Sequence, residues 1–271
     1  MRFGCCGSMI SPSADPIGME VIETTAQLGF DYIELPLSPL AALPAPDFTN
    51  LVRRLERAGI RCEACNNFFP PSIRLTGGQA RLPVAVAYAE KALERAARLG
   101  ASILVFGSSG AKNVPEGFPM DTAWHQLVEL LQALGPVAKR NGITIAIEPL
   151  NRQESNIVNR AAEGLKLVRE VRDPSVQLMM DFYHLTVEKE DPEIILDAGA
   201  AVRHVHFAEA NGRIFPRKPE DAYVRFFSRL KEIRYQARCS IEAHTRDYRT
   251  DATRALRLLK GITAEGQTPW N

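Results

Sequence analysis

The sequence has no excess of either charge, with 33 basic residues against 32 acidic ones. A chain so balanced presents no general field for nucleic acid or an anionic membrane surface, and neither is expected as a partner. No apolar run reaches the roughly 18 residues of a membrane span. The opening segment, MRFGCCGSMISPSADP, lacks the long apolar centre of a secretory signal, so a cytoplasmic location is expected. Cysteine is scarce and odd in number, five in 271 residues, which argues against a disulfide framework. Cys62 and Cys65 form a C-x-x-C, but no second pair at zinc-ribbon spacing accompanies them. In a strand, positions three apart point to opposite faces, so the two are read as structural. A G-x-G-x-x-G turn after the first strand, a Walker loop, a linker and a low-complexity segment are also missing.

What the chain does have is alternation. Short apolar stretches rich in β-branched residues occupy 2–6, 32–36, 60–66, 102–107, 143–149, 176–181, 202–208 and 239–244. Helical spacing fills 16–28, 48–58, 83–99, 121–140, 161–172, 219–233 and 250–260, with a shorter helix-like piece, PEIILDAG, before the seventh strand. Leu28-Gly29, Ala58-Gly59, Leu99-Gly100 and Asn141-Gly142 supply helix stops. Strands joined by helical crossovers run parallel, and eight such units close most naturally into a single (β/α)₈ barrel, for which about 250 residues is typical. One domain over 1–271 is expected.

In such a barrel the chemistry sits at the C-terminal ends of the strands. The fifth strand ends at Glu148, the sixth at Asp181 and His184, the seventh at His204, His206 and Glu209, and the eighth at Glu242 and His244. Glu148 follows ITIAI and Asp181 follows VQLMM, stretches of the kind buried on both faces. Carboxylates there are costly unless paired or bound to a cation, and a divalent ion removes their mutual repulsion. Glu148, Asp181, His206 and Glu242 are therefore read as holding one divalent metal ion. Three carboxylates and an imidazole suit Mn²⁺ first, with Mg²⁺ or Co²⁺ as alternatives. His204 lies on the same side of its strand as His206 and competes for the role. His206 is favoured because it is nearer the strand end. His244 and His125 are read as surface or supporting residues.

These residues carry a resemblance. IEPLNRQESN resembles an E-x-x-N-R-x-E motif through Glu148, Asn151, Arg152 and Glu154. MMDFYHL resembles D-x-x-H through Asp181 and His184, and HVHFAEANGR resembles H-x-H-x-x-E-x-N through His204, His206, Glu209 and Asn211. SIEAH supplies Glu242. Taken in order, they make the chain similar to the xylose isomerase-like (β/α)₈ superfamily, nearest its ketose 3-epimerase branch and the hydroxypyruvate isomerase-like proteins. The resemblance implies a metal-dependent isomerase or epimerase acting on a small sugar through a cis-enediolate. Glu148 and Glu242 would be ligands and the acid/base pair, Asp181 and His206 ligands only. His184 and Glu154 match positions that contact substrate oxygens. The family's substrate-contacting arginine falls on Gly212 here, with Arg213 next, a one-residue offset that puts the sugar's identity in question. The likeness also suggests a homodimer or homotetramer.

The first half of the barrel is expected to set specificity, through Glu34 ending the second strand, Asn67 beside Asn66 ending the third, and Lys112 in the fourth loop. Lys112 is either solvent-exposed or poised to hold an anionic group on the substrate. Phe68, Phe69 and Phe118 either pack over the rim or cover the apolar face of a sugar. Rival readings are an inosose or hydroxypyruvate isomerase or dehydratase on the same site, a non-catalytic sugar-binding barrel, and an apurinic endonuclease. The last would need histidines at the ends of strands three and four, where ACNN and VFGSSG stand.

Overall fold

In the computed structural model, residues 1–11 and 15–264 are described. Eight parallel strands close on themselves in chain order: β1 (Arg2–Cys6), β2 (Tyr32–Pro36), β3 (Cys62–Asn66), β4 (Ile103–Phe106), β5 (Thr144–Ile147), β6 (Val176–Asp181), β7 (Val202–Phe207) and β8 (Arg238–Ile241). The fold is a (β/α)₈ barrel. The principal helices on its outside are Ile22–Gln27, Ala45–Ala58, Leu82–Leu99, Met120–Arg140, Ala161–Val171, Asp221–Glu232 and Tyr248–Thr263, with the short Ile194–Ala198 between β6 and β7.

Two separate apolar clusters follow from the alternation of side chains along each strand. One fills the space between strands and helices. In Ala45–Ala58, for example, Phe48, Leu51 and Leu55 are buried at helical spacing. The other plugs the barrel lumen with Tyr32, Ala64, Ile103, Val105, Ala146 and Met179. The interior is thus packed solid below the site rather than open as a pore.

The structure departs from the sequence reading in three places. The stretch 16–28 is helical only from Met19, as a 3₁₀ turn to Val21 and then an α-helix. Gly18, with φ +79°, breaks the chain there, and a Cβ on it would stand 2.3 Å from the backbone of Gly7. Short helical turns also follow strands, directly at Gly7–Ile10, Leu37–Ala42 and Phe182–Val187 and two residues on at Ser109–Lys112, where the sequence suggested a loop. Finally, Cys62 and Cys65 do not point to opposite faces. Ile33 pairs with Cys62 and Glu34 with Ala64, so Glu63 is an extra residue in the ladder. This bulge resets the alternation, and the two sulfurs lie 3.8 Å apart. All five cysteines are buried and free, and Glu63 reaches Arg2 and Arg238 at the opposite end of the barrel.

Candidate active site

Glu148 and Glu242 stand one residue past β5 and β8. Their own N–H groups make the last ladder bonds, to Phe106 O at 3.2 Å and Phe207 O at 3.1 Å. Asp181 closes β6 and pairs in register with His206, the penultimate residue of β7. Backbone pairing, not loop conformation, therefore sets where these four side chains begin. Each offers one atom to a group in which all the atoms lie within 4.8 Å of one another. Gly107, after β4, leaves room for this. A Cβ there would fall 2.1 Å from Glu148 Oε2.

The cluster is buried, and several of its polar atoms lack partners. Glu148, Asp181 and His206 are buried, and the Glu242 side chain is 12% exposed. Asp181 spends Oδ1 on capping the following helix, accepting from Tyr183 N at 2.7 Å and His184 N at 3.4 Å. Its Oδ2 has no partner, and neither do Glu148 Oε1 and His206 Nδ1. His206 Nδ1 approaches Glu148 at 3.4 Å and Glu242 at 3.3 Å without hydrogen-bond geometry. Buried acceptors turned toward one another repel unless a cation lies between them. Three carboxylates and one imidazole are the donor chemistry of a hard or borderline divalent ion, so these residues fit a metal.

The two glutamates differ in proton affinity in the protein alone. Burial, reinforced by the charge of Glu242, raises Glu148 above the usual carboxylate range. Burial would raise Glu242 as well, but His206 and Arg213 outweigh it and hold Glu242 well below that range. Arg213 donates Nη2 to Glu242 and Nη1 to Glu154 at 3.2 Å, and it lies 4.7 Å over the Tyr183 ring. Gly212 and Arg213, with φ +84° and +48°, form a left-handed turn that carries this guanidinium to the site.

His184 is positioned through its ring. Asn151 N–H can only donate, and it meets His184 Nδ1 at 3.2 Å. Nδ1 is therefore the acceptor, and in the neutral ring Nε2 carries the proton. Nε2 is buried without a partner, 3.5 Å from Asp181 Oδ2. Glu154 is held by Asn151 and Arg213.

The first-half expectations fare differently. Glu34 is fully buried below the cluster, with both oxygens engaged by His204 and His206. His204 lies one layer deeper than His206 and outside the four-residue group. Lys112, read as exposed or anion-holding, is completely buried with Nζ on the Glu148 carbonyl at 3.2 Å. Burial lowers its pKa to about 8. Asn67 sits in a left-handed turn, exposed, its carbonyl taken by Ser38 N. Its neighbour Asn66 reaches the site instead, donating Nδ2 to Glu242 Oε1 at 3.2 Å. Phe68 and Phe69 are buried against Tyr88, with Phe106 edge-on to Phe69, which makes them packing residues. His125 and His244 are exposed. Sequence reading overlooked Ser240 and Gly107. Ser240 was findable, two residues before Glu242 on the same strand face, but Gly107 carried no signal without the fold.

The protein is a (β/α)₈ barrel with a cluster of three carboxylates and one imidazole, able to hold a metal ion, at the ends of its last four strands. Residues 22–262 match the xylose isomerase-like TIM barrel family, and the chain belongs to it. It is 26% identical over 279 aligned positions to a ketose 3-epimerase of Arthrobacter globiformis, covering 98% of this chain and 92% of that one. It is 27% identical over 219 positions to a D-psicose 3-epimerase of Agrobacterium fabrum, covering 79% and 75%. Among solved structures, a D-allulose 3-epimerase from Methylomonas sp., in complex with D-allulose, superposes with a TM-score of 0.86 at 24% identity, covering 97% of both chains.

Proposed function

We propose that the protein is a divalent-metal-dependent ketose 3-epimerase. The observation that carries this reading is the gathering of Glu148, Asp181, His206 and Glu242 within 4.8 Å of one another, with Glu148 Oε1, Asp181 Oδ2 and His206 Nδ1 buried without partners. Those four residues would hold the ion, with Mn²⁺ the first candidate. When bound, it supplies Lewis-acid stabilisation of the negative charge that develops on adjacent carbonyl and hydroxyl oxygens.

The protein's own residues do the rest. One glutamate removes the proton from the carbon beside the carbonyl, leaving a cis-enediolate, and the other returns a proton to the opposite face. Their opposed proton affinities suit that division, and the reverse reaction exchanges the roles. Arg213 keeps Glu242 ionised and oriented. His184 offers its Nε2–H to a substrate oxygen, and Glu154 lies beside Arg213 to take a hydroxyl. The His184 contact would satisfy a ring nitrogen otherwise buried without a partner.

The test is a panel of ketoses, inososes and hydroxypyruvate run in D₂O with added Mn²⁺ and followed by NMR. Deuterium entering C3 of a ketose, with the epimer appearing and no hydroxyl lost, is the expected result. Loss of water from an inosose would turn the reading to a dehydratase. Metal uptake with no exchange on any substrate would turn it to a binding protein.

A further inference from the structure

We infer that Glu34 is a positioning residue for the candidate metal centre, fixing which imidazole nitrogen of His206 faces Glu148, Asp181 and Glu242. The inference rests on the metal reading above and assigns a role to a buried acid that the reaction does not use. Glu34 lies on β2, three strands around the barrel from β7, which carries both histidines, and is completely buried. Three donors converge on its two oxygens: His206 Nε2 on Oε1 at 2.9 Å, His204 Nε2 on Oε2 at 2.8 Å, and Ser240 Oγ on Oε2 at 2.5 Å. Ser240 is itself held by Tyr32 OH at 2.8 Å. A carboxylate offers about four lone-pair sites and no proton, so it can receive all three.

That geometry decides the imidazole. Because Glu34 accepts at Nε2, the proton of a neutral His206 resides there, and Nδ1 keeps its lone pair. Nδ1 is the nitrogen directed at Glu148 and Glu242, and it has no hydrogen-bond partner. A ring free to turn over would present a donor to the cation site instead. His204 explains the paired histidines of β7. It shares the strand face of His206 and occupies the second oxygen, so the carboxylate is held from two sides and cannot swing away. The alternative grouping of Cys6, Glu34 and His206 is not a second metal site in this arrangement. The imidazole nitrogen His206 would offer there, Nε2, is already donating to Glu34.

The carboxylate–imidazole–metal arrangement is one whose outer member typically controls metal affinity by about 10–100-fold. Two measurements test it. Mn²⁺ titration of metal-free protein, read by the loss of free-ion EPR signal, should show Glu34→Gln binding about 10–100-fold more weakly than wild type, with its near-UV circular dichroism retained. Equal affinity in a folded variant would overturn the role of Glu34. Wild-type protein that takes up no Mn²⁺ would instead defeat the metal reading itself. Should Glu34→Gln fail to fold, the wild-type protein still decides. Long-range ¹H–¹⁵N correlations of the Mg²⁺-loaded protein should show His206 protonated at Nε2 and bare at Nδ1, and the opposite tautomer would overturn the inference.

Discussion

The two halves of the barrel treat their buried polar atoms in opposite ways. From β5 onward, Glu148 Oε1, Asp181 Oδ2, His184 Nε2 and His206 Nδ1 are buried without partners and gather at one end of the barrel. From β1 to β4, Glu34, Glu63 and Lys112 are buried and partnered, and among the described residues Asn66 Oδ1 is the unpartnered side-chain atom of that half. An unsatisfied buried polar group costs about 1–3 kcal/mol. Several of them tolerated side by side mark a place shaped for something that completes them. The unpartnered atoms of the site thus belong to the second half, and residues of the first half, Glu34 and Asn66, hydrogen-bond to that half's His206 and Glu242.

The sharpest way to break that division is to neutralise the two glutamates. Glu148→Gln and Glu242→Gln keep the shape of the site but remove the proton carriers, and each should slow solvent exchange at the substrate carbon by about 10²–10⁴-fold, the usual weight of general acid–base catalysis. Deuterium incorporation followed by NMR measures it, with thermal midpoints confirming the fold. Exchange at the wild-type rate in either variant would sink the two-glutamate mechanism.

The same division explains what was legible beforehand. The fold was readable because each unit carries its own local signal, a strand-length apolar run and an amphipathic helix with a glycine stop. The donor set was readable because a carboxylate ending a doubly buried strand is anomalous wherever it occurs. The supports were not, since their role depends on partners far away in the chain: Glu34 meets His206 across 172 positions and Asn66 meets Glu242 across 176. Lys112 follows Gly110 and Ala111 in a loop that reads as exposed, and only its closure under Glu148 buries it. The paired sulfurs of Cys62 and Cys65 needed a bulge that no strand pattern announces.

Lys112 tests whether the supporting half carries a cost. Burial brings its pKa down to about 8 from 10.5, opposed by Glu148 and Glu154. The folded value lies below the unfolded one. Below pH 8 both states are protonated, and the penalty of the buried charge is fully present. Between about 8 and 10.5 the folded protein gives up the proton while the unfolded chain keeps it, so stability rises with pH by about 3 kcal/mol. Lys112→Met removes this linkage. Its stability relative to wild type should fall by about 3 kcal/mol across the same window, read from urea midpoints at several pH values. Parallel profiles for the two proteins would show that the amine is not held as described.

The smallest effect falls on the third strand, where two adjacent asparagines separate support from surface. Asn66 donates to Glu242 and is 3% exposed, while Asn67 is exposed and contributes its backbone carbonyl to Ser38. Removing a hydrogen bond to a charged group costs about 1.5–3 kcal/mol where the partner stays buried, and less where another donor remains. Arg213 remains on Glu242. Asn66→Ala should therefore reduce kcat by about tenfold, the equivalent of about 1.4 kcal/mol. KM should change less, because the lost contact orients an acid/base group. Asn67→Ala should leave both constants within about twofold, as surface changes usually do. Steady-state kinetics on the same ketose distinguish them. The reverse order, with Asn67 the costly residue, would return the third strand to direct substrate contact and erase the line between the two halves of the barrel.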